Sequence, residues 1–580
     1  MNTSTDSAGQ AMMLRAIHLF IYALIGATLF SLNAFSNPVR AASEMEFRAD
    51  EVLVIFEPGT PARDIASVHA SVGGQVTRTI PRFGLEVVKV AQGTVLEKVE
   101  AYRRNPNVKI VQPNYLRPLI IPTEGTFSPS LDVFDEQWSL DNVGQTLQTY
   151  TDPNYGTLVW PSIRADADIG IPEAWDITQG SSNVQVAVLD SGVDCNHPDL
   201  MEKCADIEHH VSATFNSFGE PIPAYTDVIG HGTHVAGIIG MDTNNGRGGA
   251  GIGWNTRIGS FKVCYAETLL DIVVGSNCAD SDIVDGVDSV LTHGDYHVIN
   301  MSFGGGSSPV LQTALNDAFN SGIVLIAAAG NAGNWLPVYP AAYANVVSVG
   351  ATNPVDDRAS FSSFSREDEA TSPGDWVDLL APGDPIISTV PGAFCGADGM
   401  DCFQWLRGTS MAAPHASGVA ALVWSQVLQS DPTMSSANRD EVIWRLRDCA
   451  DQIGAMGQDM RIWSRYGRLS AYGAVTCGGL LPPPPDGNHI VALQGASSGS
   501  GSTWMATVTI TVSDGTGPAE NGVLVTGSWN TNDPANCTVN DGQCVVSLSG
   551  IRKRTSSVAL TVTDPLGADG QPVSIVVTKP

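Results

Sequence analysis

Five short, almost wholly apolar segments recur along the middle of the chain, at Val184–Leu189, Val298–Ser302, Ile323–Ala328, Val346–Val349 and Trp376–Leu380. Strands that are buried on both faces have this pattern, because neither face of such a strand meets water. Patterns typical of helices separate the segments, and this alternation indicates a parallel sheet with helices on both sides. The chain over 136–478 is therefore predicted to be an α/β domain.

A separate α+β unit is predicted before this domain, over residues 47–118. Apolar runs at 52–56, 84–90 and 108–111 predict strands, and the spacing of apolar residues at 62–72 and 95–102 predicts helices. This order is compatible with a ferredoxin-like βαββαβ arrangement.

The end of the chain is predicted to be an all-β domain over 487–580. Four consecutive prolines at 482–485 form a stiff linker before it. Apolar residues alternate with polar ones over 507–512 and again around Val558, Leu560 and Val562. About 95 residues with this pattern indicate an immunoglobulin-like β-sandwich, similar to accessory domains of many secreted bacterial hydrolases.

The N-terminal residues 1–42 have the features of a signal peptide, which predicts secretion. Arg15 precedes an apolar run over 16–32, and small residues follow it. A single membrane anchor is the alternative, because an apolar run of this length is borderline for spanning a bilayer.

Charge and cysteine content narrow the possible partners and the compartment. The net charge is −30, and the part after Leu119 carries 18 basic and 50 acidic residues. A surface this acidic repels nucleic acid and anionic lipid, which excludes both as partners.

The ten cysteines lie in five pairs of near neighbours along the chain, for which sequential disulfides are the simplest pairing, although sequence cannot establish connectivity. No Cys-x-x-Cys pair supports the alternative of a structural zinc.

Three segments carry residue types suited to nucleophilic catalysis. An apolar strand ends on Asp190, a helix begins at His231, and the run Gly408-Thr409-Ser410-Met411-Ala412-Ala413-Pro414-His415 puts Ser410 at the start of another helix, with Thr409 as its expected N-cap. A serine hydroxyl needs a neighbouring base to become a nucleophile. The three segments resemble the signatures of the subtilisin-like serine proteases, in that family's chain order of Asp, His and Ser.

The resemblance implies a role for each residue. Ser410 would attack the scissile carbonyl, His231 would take and return its proton, and Asp190 would orient His231. Asn331, in the segment Ala-Ala-Ala-Gly-Asn-Ala-Gly at 327–333, would donate its amide to the oxyanion. The family fold is a parallel sheet flanked by helices, and its members are serine endopeptidases.

The resemblance also implies a substrate cleft. The segment 300–305 resembles the strand edge that pairs with the substrate backbone, so Ser302, Phe303 and Gly304 would bind substrate. Ala328, Ala329 and Gly330 would line the opposite wall of the first pocket. Small residues on both walls predict a broad specificity or a bulky apolar residue before the cut.

The unit at 47–118 resembles the inhibitory propeptide of the same family. It would aid folding and block the cleft of its own enzyme until self-processing, with the junction between Leu119 and Asp135. An ordinary N-terminal domain that stays attached is the alternative. A monomer that acts on polypeptides is expected.

A structural calcium ion is a further expectation of the resemblance. Asp199 and Asn245 match segments that hold calcium in several relatives, and hard oxygen ligands suit this ion. A plain turn beside an acidic residue remains the alternative. His234, one turn after His231, hints at a metal-binding face, but no glutamate lies beside the pair.

Two rival functions have different signatures. A surface adhesin would use the β-sandwich and keep the α/β domain as a scaffold, and an intact Asp-His-Ser set argues against it. An esterase with the same residues would carry Gly-x-Ser-x-Gly, which the segment around Ser410 does not match.

Overall fold

The computed structural model describes the chain in two compact units, divided between Cys477 and Gly478. The described residues are 45–119, 134–145, 150–152, 156–158, 164–206, 214–215, 221–222, 226–246, 248–269, 272–365, 376–392, 402–477, 489–498, 503–513, 524–529, 531, 535–539, 543–552, 555, 557–564 and 573–578. The predicted signal peptide and the proline linker lie outside them. No helix among these residues is long and apolar enough to cross a bilayer.

The N-terminal part of the first unit has the predicted βαββαβ order. Its elements are β1 (Phe47–Phe56), α1 (Ala62–Val72), β2 (Gln75–Ile80), β3 (Leu85–Lys89), α2 (Val95–Arg103) and β4 (Val108–Pro118). Helix α1 has the predicted bounds, whereas β2 was not predicted and β4 runs seven residues beyond the predicted strand end at Val111. The helices pack on one face of this sheet around Val54, Val88 and Tyr102.

The sheet of this N-terminal part continues into the following domain. Its strand order is β12-β13-β4-β1-β3-β2, in which β12 (Cys264–Leu269) and β13 (Ile272–Ala279) form an antiparallel hairpin of the α/β domain. The extension of β4 pairs with β13, so that Arg117 lies opposite Cys278. The end of the N-terminal unit is therefore a strand added to the α/β domain.

The α/β domain has an eight-stranded sheet in which every neighbouring pair is parallel. In spatial order its strands are β20 (Gly467–Arg468), β17 (Leu379–Pro382), β16 (Val347–Thr352), β15 (Val324–Ala328), β14 (Val298–Met301), β7 (Gln185–Asp190), β11 (Arg257–Lys262) and β8 (Cys204–Asp206). The strand predicted at Trp376 begins at Leu379 instead. The backbone groups just before it bond side chains: Val377 N–H donates to Ser365 Oγ at 2.8 Å, and the Trp376 carbonyl accepts from Ser348 Oγ.

Helices cover both faces of this sheet, as the apolar strands require. They are α3 (Ile171–Trp175), α4 (His231–Gly240), α5 (Asp280–His293), α6 (Pro309–Asn320), α7 (Thr409–Ser430), α8 (Ser436–Asp448) and α9 (Ala471–Thr476). Along β7, Val186 and Val188 enter the core beneath α4 and α7, whereas Ala187 and Leu189 enter the core beneath α5 and α6. The smaller strands are β5 (Tyr150–Asp152), β6 (Gly156–Leu158), β9 (Thr214–Phe215), β10 (Pro221–Ile222), β18 (Ile386–Thr389) and β19 (Phe403–Leu406).

The second unit contains two antiparallel sheets, as expected for an all-β region. One has the order β21-β22-β25 and the other β24-β23-β26-β27. The bounds are β21 (His489–Ser498), β22 (Thr503–Ser513), β23 (Leu524–Trp529), β24 (Cys537–Thr538), β25 (Gln543–Arg552), β26 (Ser557–Asp564) and β27 (Val573–Thr578). Both sheets contribute to one core, which contains Trp504 and Trp529. An immunoglobulin-like topology stays a prediction.

Four of the sequential cysteine pairs form disulfides: Cys195–Cys204, Cys264–Cys278, Cys449–Cys477 and Cys537–Cys544. Cys402 is also disulfide-bonded, whereas its expected partner Cys395 lies outside the described residues. The prediction of disulfides is thus confirmed for the pairs that can be assessed.

Candidate active site

The three residues suited to nucleophilic catalysis lie at the carboxyl-end edge of the sheet. Asp190 is the last residue of β7, and His231 is the first residue of α4. His231 Nδ1 lies 2.8 Å from Asp190 Oδ1, and both side chains are buried. A carboxylate can only accept, so Nδ1 carries the proton and Nε2 keeps its lone pair. The geometry therefore presents a neutral imidazole as a base.

The charge around His231 favours its protonated form. Burial lowers the pKa of this imidazole, but the charge of Asp190, its hydrogen bond and the charge of Asp227 act in the opposite direction. The net result is a pKa above the ordinary value of 6.5. An imidazole that binds a proton more readily is a stronger base for a hydroxyl.

Asp227 is a site residue that the sequence analysis missed. Its Oδ1 accepts from Ser191 Oγ at 2.9 Å and from the backbone N–H of Gly230 at 2.9 Å, and its Oδ2 accepts from the N–H of Thr233 at 3.0 Å. These bonds hold the first turn of α4, on which His231 sits. An acidic residue four positions before the start of a helix was the available signal.

Ser410 lies in the first turn of α7, against the end of β14. Its hydroxyl donates to the carbonyl of Ser302 at 3.1 Å, and Ser302 Oγ donates to the carbonyl of Ser410 at 3.0 Å. Within the described part of the chain, His231 Nε2 is buried and has no hydrogen-bond partner. A hydroxyl has one proton, so Ser410 would have to turn from Ser302 towards the imidazole in order to donate to it.

Asn331 follows β15 and faces the start of α7. Its Oδ1 accepts from the backbone N–H of Thr409 at 2.9 Å and from the Thr409 hydroxyl at 2.9 Å. Because the oxygen is engaged twice, the amide nitrogen points the other way, beside Gly408. A β-carbon on Gly408 would lie 2.9 Å from Asn331 Nδ2, so a glycine is needed for the amide to occupy this position.

Thr409 has a different role from the one predicted. The N-cap of α7 is Gly408, which makes no side-chain bond, and Thr409 is already helical. The expectation of a Thr409 cap is therefore wrong. Its hydroxyl is used across the site, where it donates to Asn331 and accepts from the backbone N–H of Gly330 at 2.9 Å.

The two predicted walls of the substrate cleft both lie close to Val338, which was not predicted as a site residue. A β-carbon on Gly304 would lie 2.5 Å from Val338 Cγ1, and one on Gly330 would lie 3.1 Å from Val338 Cγ2. Ala328 and Ala329 are buried beside this wall. Phe303, next to Ser302, forms an antiparallel bridge with Leu119 from the N-terminal unit. The strand edge around Phe303 thus already holds a peptide chain.

The residues of the expected calcium site lie together, with Asp199 buried and Asn245 exposed. Asn245 Nδ2 lies 2.9 Å from Asp199 Oδ1 and 3.4 Å from Asp242 Oδ2. Two carboxylates and one amide are donors that suit calcium. No group of three or more His, Cys, Asp or Glu residues that could hold a metal occurs in the described ranges.

The alternative of a metal at His234 has no support in its surroundings. His234 is fully buried, and its Nε2 lies 3.2 Å from the carbonyl of Ile386 and 3.0 Å from that of Gln404. Burial lowers its pKa to about 3. This imidazole stays neutral and joins α4 to the β18–β19 hairpin.

The chain is similar to known proteins over both its N-terminal part and its α/β domain. A model of the subtilase family matches residues 181–447, and a model of the fervidolysin N-terminal prodomain matches residues 33–114. The chain is 34% identical over 427 residues to the thermophilic serine proteinase of Bacillus sp. (strain AK1), covering 73% of this chain and 87% of that protein.

This chain belongs to the subtilase family. Thermitase of Thermoactinomyces vulgaris is 36% identical over 312 residues, which cover 53% of this chain and 93% of thermitase. The crystal structure of fervidolysin from Fervidobacterium pennivorans, described as a keratinolytic enzyme related to subtilisin, has the same fold, with a TM-score of 0.54 and 22% identity over 93% of this chain and 77% of that structure. The chain is a serine endopeptidase with an N-terminal prodomain.

Proposed function

We propose that this subtilase is a secreted endopeptidase that hydrolyses proteins through Asp190, His231 and Ser410. The supporting observation is the buried 2.8 Å contact between His231 Nδ1 and Asp190 Oδ1, which leaves Nε2 as a base. Helix α4, which begins at His231, packs against α7, which carries Ser410. In the reaction, Ser410 Oγ attacks the scissile carbonyl while Nε2 takes its proton. The imidazolium then protonates the leaving amine, which leaves the acyl group as an ester on Ser410. Water, deprotonated by Nε2, attacks this ester, and the proton returns to Ser410 Oγ as the acid is released.

Stabilisation of the oxyanion is assigned to two donors. They are the Asn331 amide nitrogen, oriented by Thr409, and the backbone N–H of Ser410 at the start of α7. The positive end of the helix dipole favours the negative charge that develops there. Loss of one such donor typically costs about 2.7–4 kcal/mol of transition-state stabilisation.

Substrate binding is assigned to the strand edge at Ser302, Phe303 and Gly304. Main-chain pairing of this kind accepts many sequences, because the bonds go to the backbone. The opposite wall, Ala328, Ala329 and Gly330, consists of small residues. A broad preference, or a bulky apolar residue before the scissile bond, follows for this cleft.

The organisation of the chain supports a self-processed zymogen. We assign 1–42 to a signal peptide, 47–118 to the inhibitory propeptide, 136–478 to the catalytic domain and 487–580 to the β-sandwich. The bridge between Leu119 and Phe303 brings the end of the propeptide next to the residues that bond Ser410. Cleavage in the chain after Leu119 would release a monomeric enzyme.

Structural calcium is assigned to the group of Asp199, Asn245 and Asp242. Asn245 would turn its amide so that the oxygen faces the ion, a change that leaves the carboxylates in place. Calcium bound there would stabilise the folded state by mass action. An Asp199→Asn variant should lose most of the difference in melting temperature between calcium and chelator, whereas Asp176→Asn, at an exposed position, should keep it.

The test of the catalytic assignment compares wild type with Ser410→Ala by intact mass and casein cleavage. We expect the wild type to lose its first 120–135 residues and to cleave casein, and the variant to keep its propeptide and be inactive. Ser417→Ala is a matched control, since Ser417 lies on the same helix and bonds Asn300 Oδ1 at 2.9 Å. Equal maturation of wild type and Ser410→Ala would refute the assignment and favour a binding role for the β-sandwich.

A further inference from the structure

A buried ion pair joins the propeptide to the catalytic domain beside the cleft. Arg117 Nε lies 2.5 Å from Asp280 Oδ1, and both side chains are almost completely removed from solvent, at 1% and 0% exposure. Arg117 Nη1 also donates to the carbonyls of Gly306 at 2.9 Å and Tyr339 at 3.0 Å. We call the recess formed by Asp280, Gly306 and Tyr339 the arginine pocket.

The shape of the arginine pocket fits a long side chain. A β-carbon on Gly305 would lie 3.2 Å from Arg117 Nη1 and 3.4 Å from its Cγ, so the glycine leaves the space that the arginine fills. Asp280 Oδ2 also accepts a hydrogen bond from Gln112 Nε2 at 3.3 Å. Gln112 and Arg117 both belong to the propeptide, and both leave Asp280 when the propeptide departs.

The register places the arginine pocket in the path of a substrate. Leu119 pairs with Phe303 on one side, and its N–H donates to the carbonyl of Ser276 at 3.3 Å on the other. The chain that ends at Leu119 therefore lies between two edges of the catalytic domain, next to Ser302 and Ser410. Its main-chain bonds do not depend on its sequence, so a substrate that replaces it uses the same register.

We propose that Asp280 selects substrates with an arginine at the position that Arg117 occupies, two residues before the one that pairs with Phe303. This inference rests on the proposed function of the cleft. An arginine in the substrate pairs with the Asp280 carboxylate as Arg117 does. A neutral side chain at the same position removes water from that carboxylate and gives it no partner in return. Lysine is a weaker match, because a single ammonium cannot reproduce the spread of the guanidinium donors.

The test uses the secreted, self-processed enzyme and internally quenched peptides with the sequence of residues 113–123. The position of Arg117 carries arginine, lysine, leucine or glutamate. We expect kcat/KM to be highest for arginine and at least about 30-fold lower for leucine, the size of effect seen when one partner of a buried charged pair is removed. Mass spectrometry should place the cut on the C-terminal side of the position that corresponds to Leu119.

Two substitutions separate the pocket from general charge effects. Asp280→Asn should abolish the preference for arginine over leucine. Asp282→Asn is the matched control: it removes the same charge from the same helix, but Asp282 pairs with Arg48 and Arg78 rather than Arg117. Its preference for arginine should be unchanged.

Equal cleavage of the arginine and leucine peptides by the wild type would overturn the inference, and this measurement does not depend on any variant folding. Loss of the arginine preference in Asp282→Asn as well would overturn it too, since the effect would then be long-range charge. A Ser410→Ala enzyme that still cleaves these peptides would instead refute the proposed catalytic residues. The selectivity of the pocket is judged separately, from the ratios between peptides.

Discussion

Thr409 holds Asn331 Oδ1 with two hydrogen bonds, one from its backbone N–H and one from its hydroxyl, each 2.9 Å long. The bonds determine the orientation of the amide, because an oxygen that accepts two protons leaves the NH2 group on the other side, beside Gly408. The same hydroxyl accepts from Gly330 N–H. One threonine thus joins the segment after β15 to the start of α7.

Thr409→Val should lower kcat by about tenfold with little change in KM, less than the 10²–10³ expected for removal of an oxyanion donor itself. The valine keeps the shape of the side chain but loses one bond to Asn331 and leaves Gly330 N–H without its acceptor. Steady-state kinetics on a peptide substrate measures the effect. Thr409→Ser, which keeps the hydroxyl, is the control, and an equal loss in both variants would contradict the role of the hydroxyl.

The acid limb of kcat/KM should have its midpoint above pH 6.5, because the pKa of His231 is raised above that ordinary value and only the neutral imidazole can act as a base. In Asp190→Asn, burial is opposed only by the charge of Asp227, so the residual activity should be lower by about 10⁴ and its limb should move to lower pH. A wild-type midpoint below pH 6.5 would argue against this electrostatic balance.

The raised pKa of His231 affects stability in the opposite pH direction: activity is lost as pH falls, whereas the stabilising contribution is lost as pH rises. A group whose folded pKa exceeds its unfolded pKa stabilises the fold fully below the unfolded pKa, and this contribution is lost as pH rises through the folded pKa. Asp190→Asn should therefore reduce the free energy of unfolding of the zymogen more at pH 5 than at pH 9. Urea unfolding at the two pH values checks this, and an equal reduction at both would count against it.

Release of the propeptide should depend on salt. Arg78 donates to Asp282 at 2.8 Å and to Asp285 at 3.0 Å across the interface with α5. Asp282 is buried, but Arg78 and Asp285 are partly exposed, so ions can screen the interaction. Arg78→Gln should weaken propeptide binding by about 1–2 kcal/mol. Casein activity should therefore appear roughly tenfold faster after processing than in the wild type. Added NaCl should accelerate the wild type and affect the variant less.

The control for this prediction is Lys89→Gln. It removes the same charge from the propeptide, but Lys89 pairs only loosely, at 3.6 Å, with Asp50 of the propeptide itself. Its release kinetics should match the wild type. Equal acceleration in both variants would mean that the net charge of the propeptide, rather than the interface with α5, sets the rate.

Gly237→Ala should destabilise the catalytic domain by about 1–3 kcal/mol, although alanine is the better helix former. A β-carbon there would lie 2.3 Å from both Ser388 Oγ and Thr389 Oγ1. Those hydroxyls donate to the carbonyls of His234 and Thr233, so their displacement also breaks bonds to α4. Gly240→Ala, with no neighbour closer than 3.6 Å, should be tolerated, and equal melting temperatures for both variants would contradict this.

Much of the fold could be predicted from local patterns. Helix α1 had the predicted bounds, and the apolar segments ending at Leu189 and Ala328 are strands of the parallel sheet within one residue at either end. Such strands can be recognised in the sequence because burial on both faces requires a continuous apolar run. Strand β2, Gln75–Ile80, was missed because four of its six residues are exposed and it carries little apolar pattern.

The sequence by itself determined the fold class and the local positions of four site residues. Asp190 ends a strand, His231 and Ser410 lie at the start of helices, and Asn331 lies in the segment after a strand. Local periodicity and residue type are enough for that. Only the tertiary structure decided which groups meet: Asp227 beneath the helix of His231, Thr409 on Asn331, and Arg117 on Asp280 across 163 positions. The physical reason is that hydrogen bonds and ion pairs reach only a few ångströms, so their partners depend on the path of the whole chain.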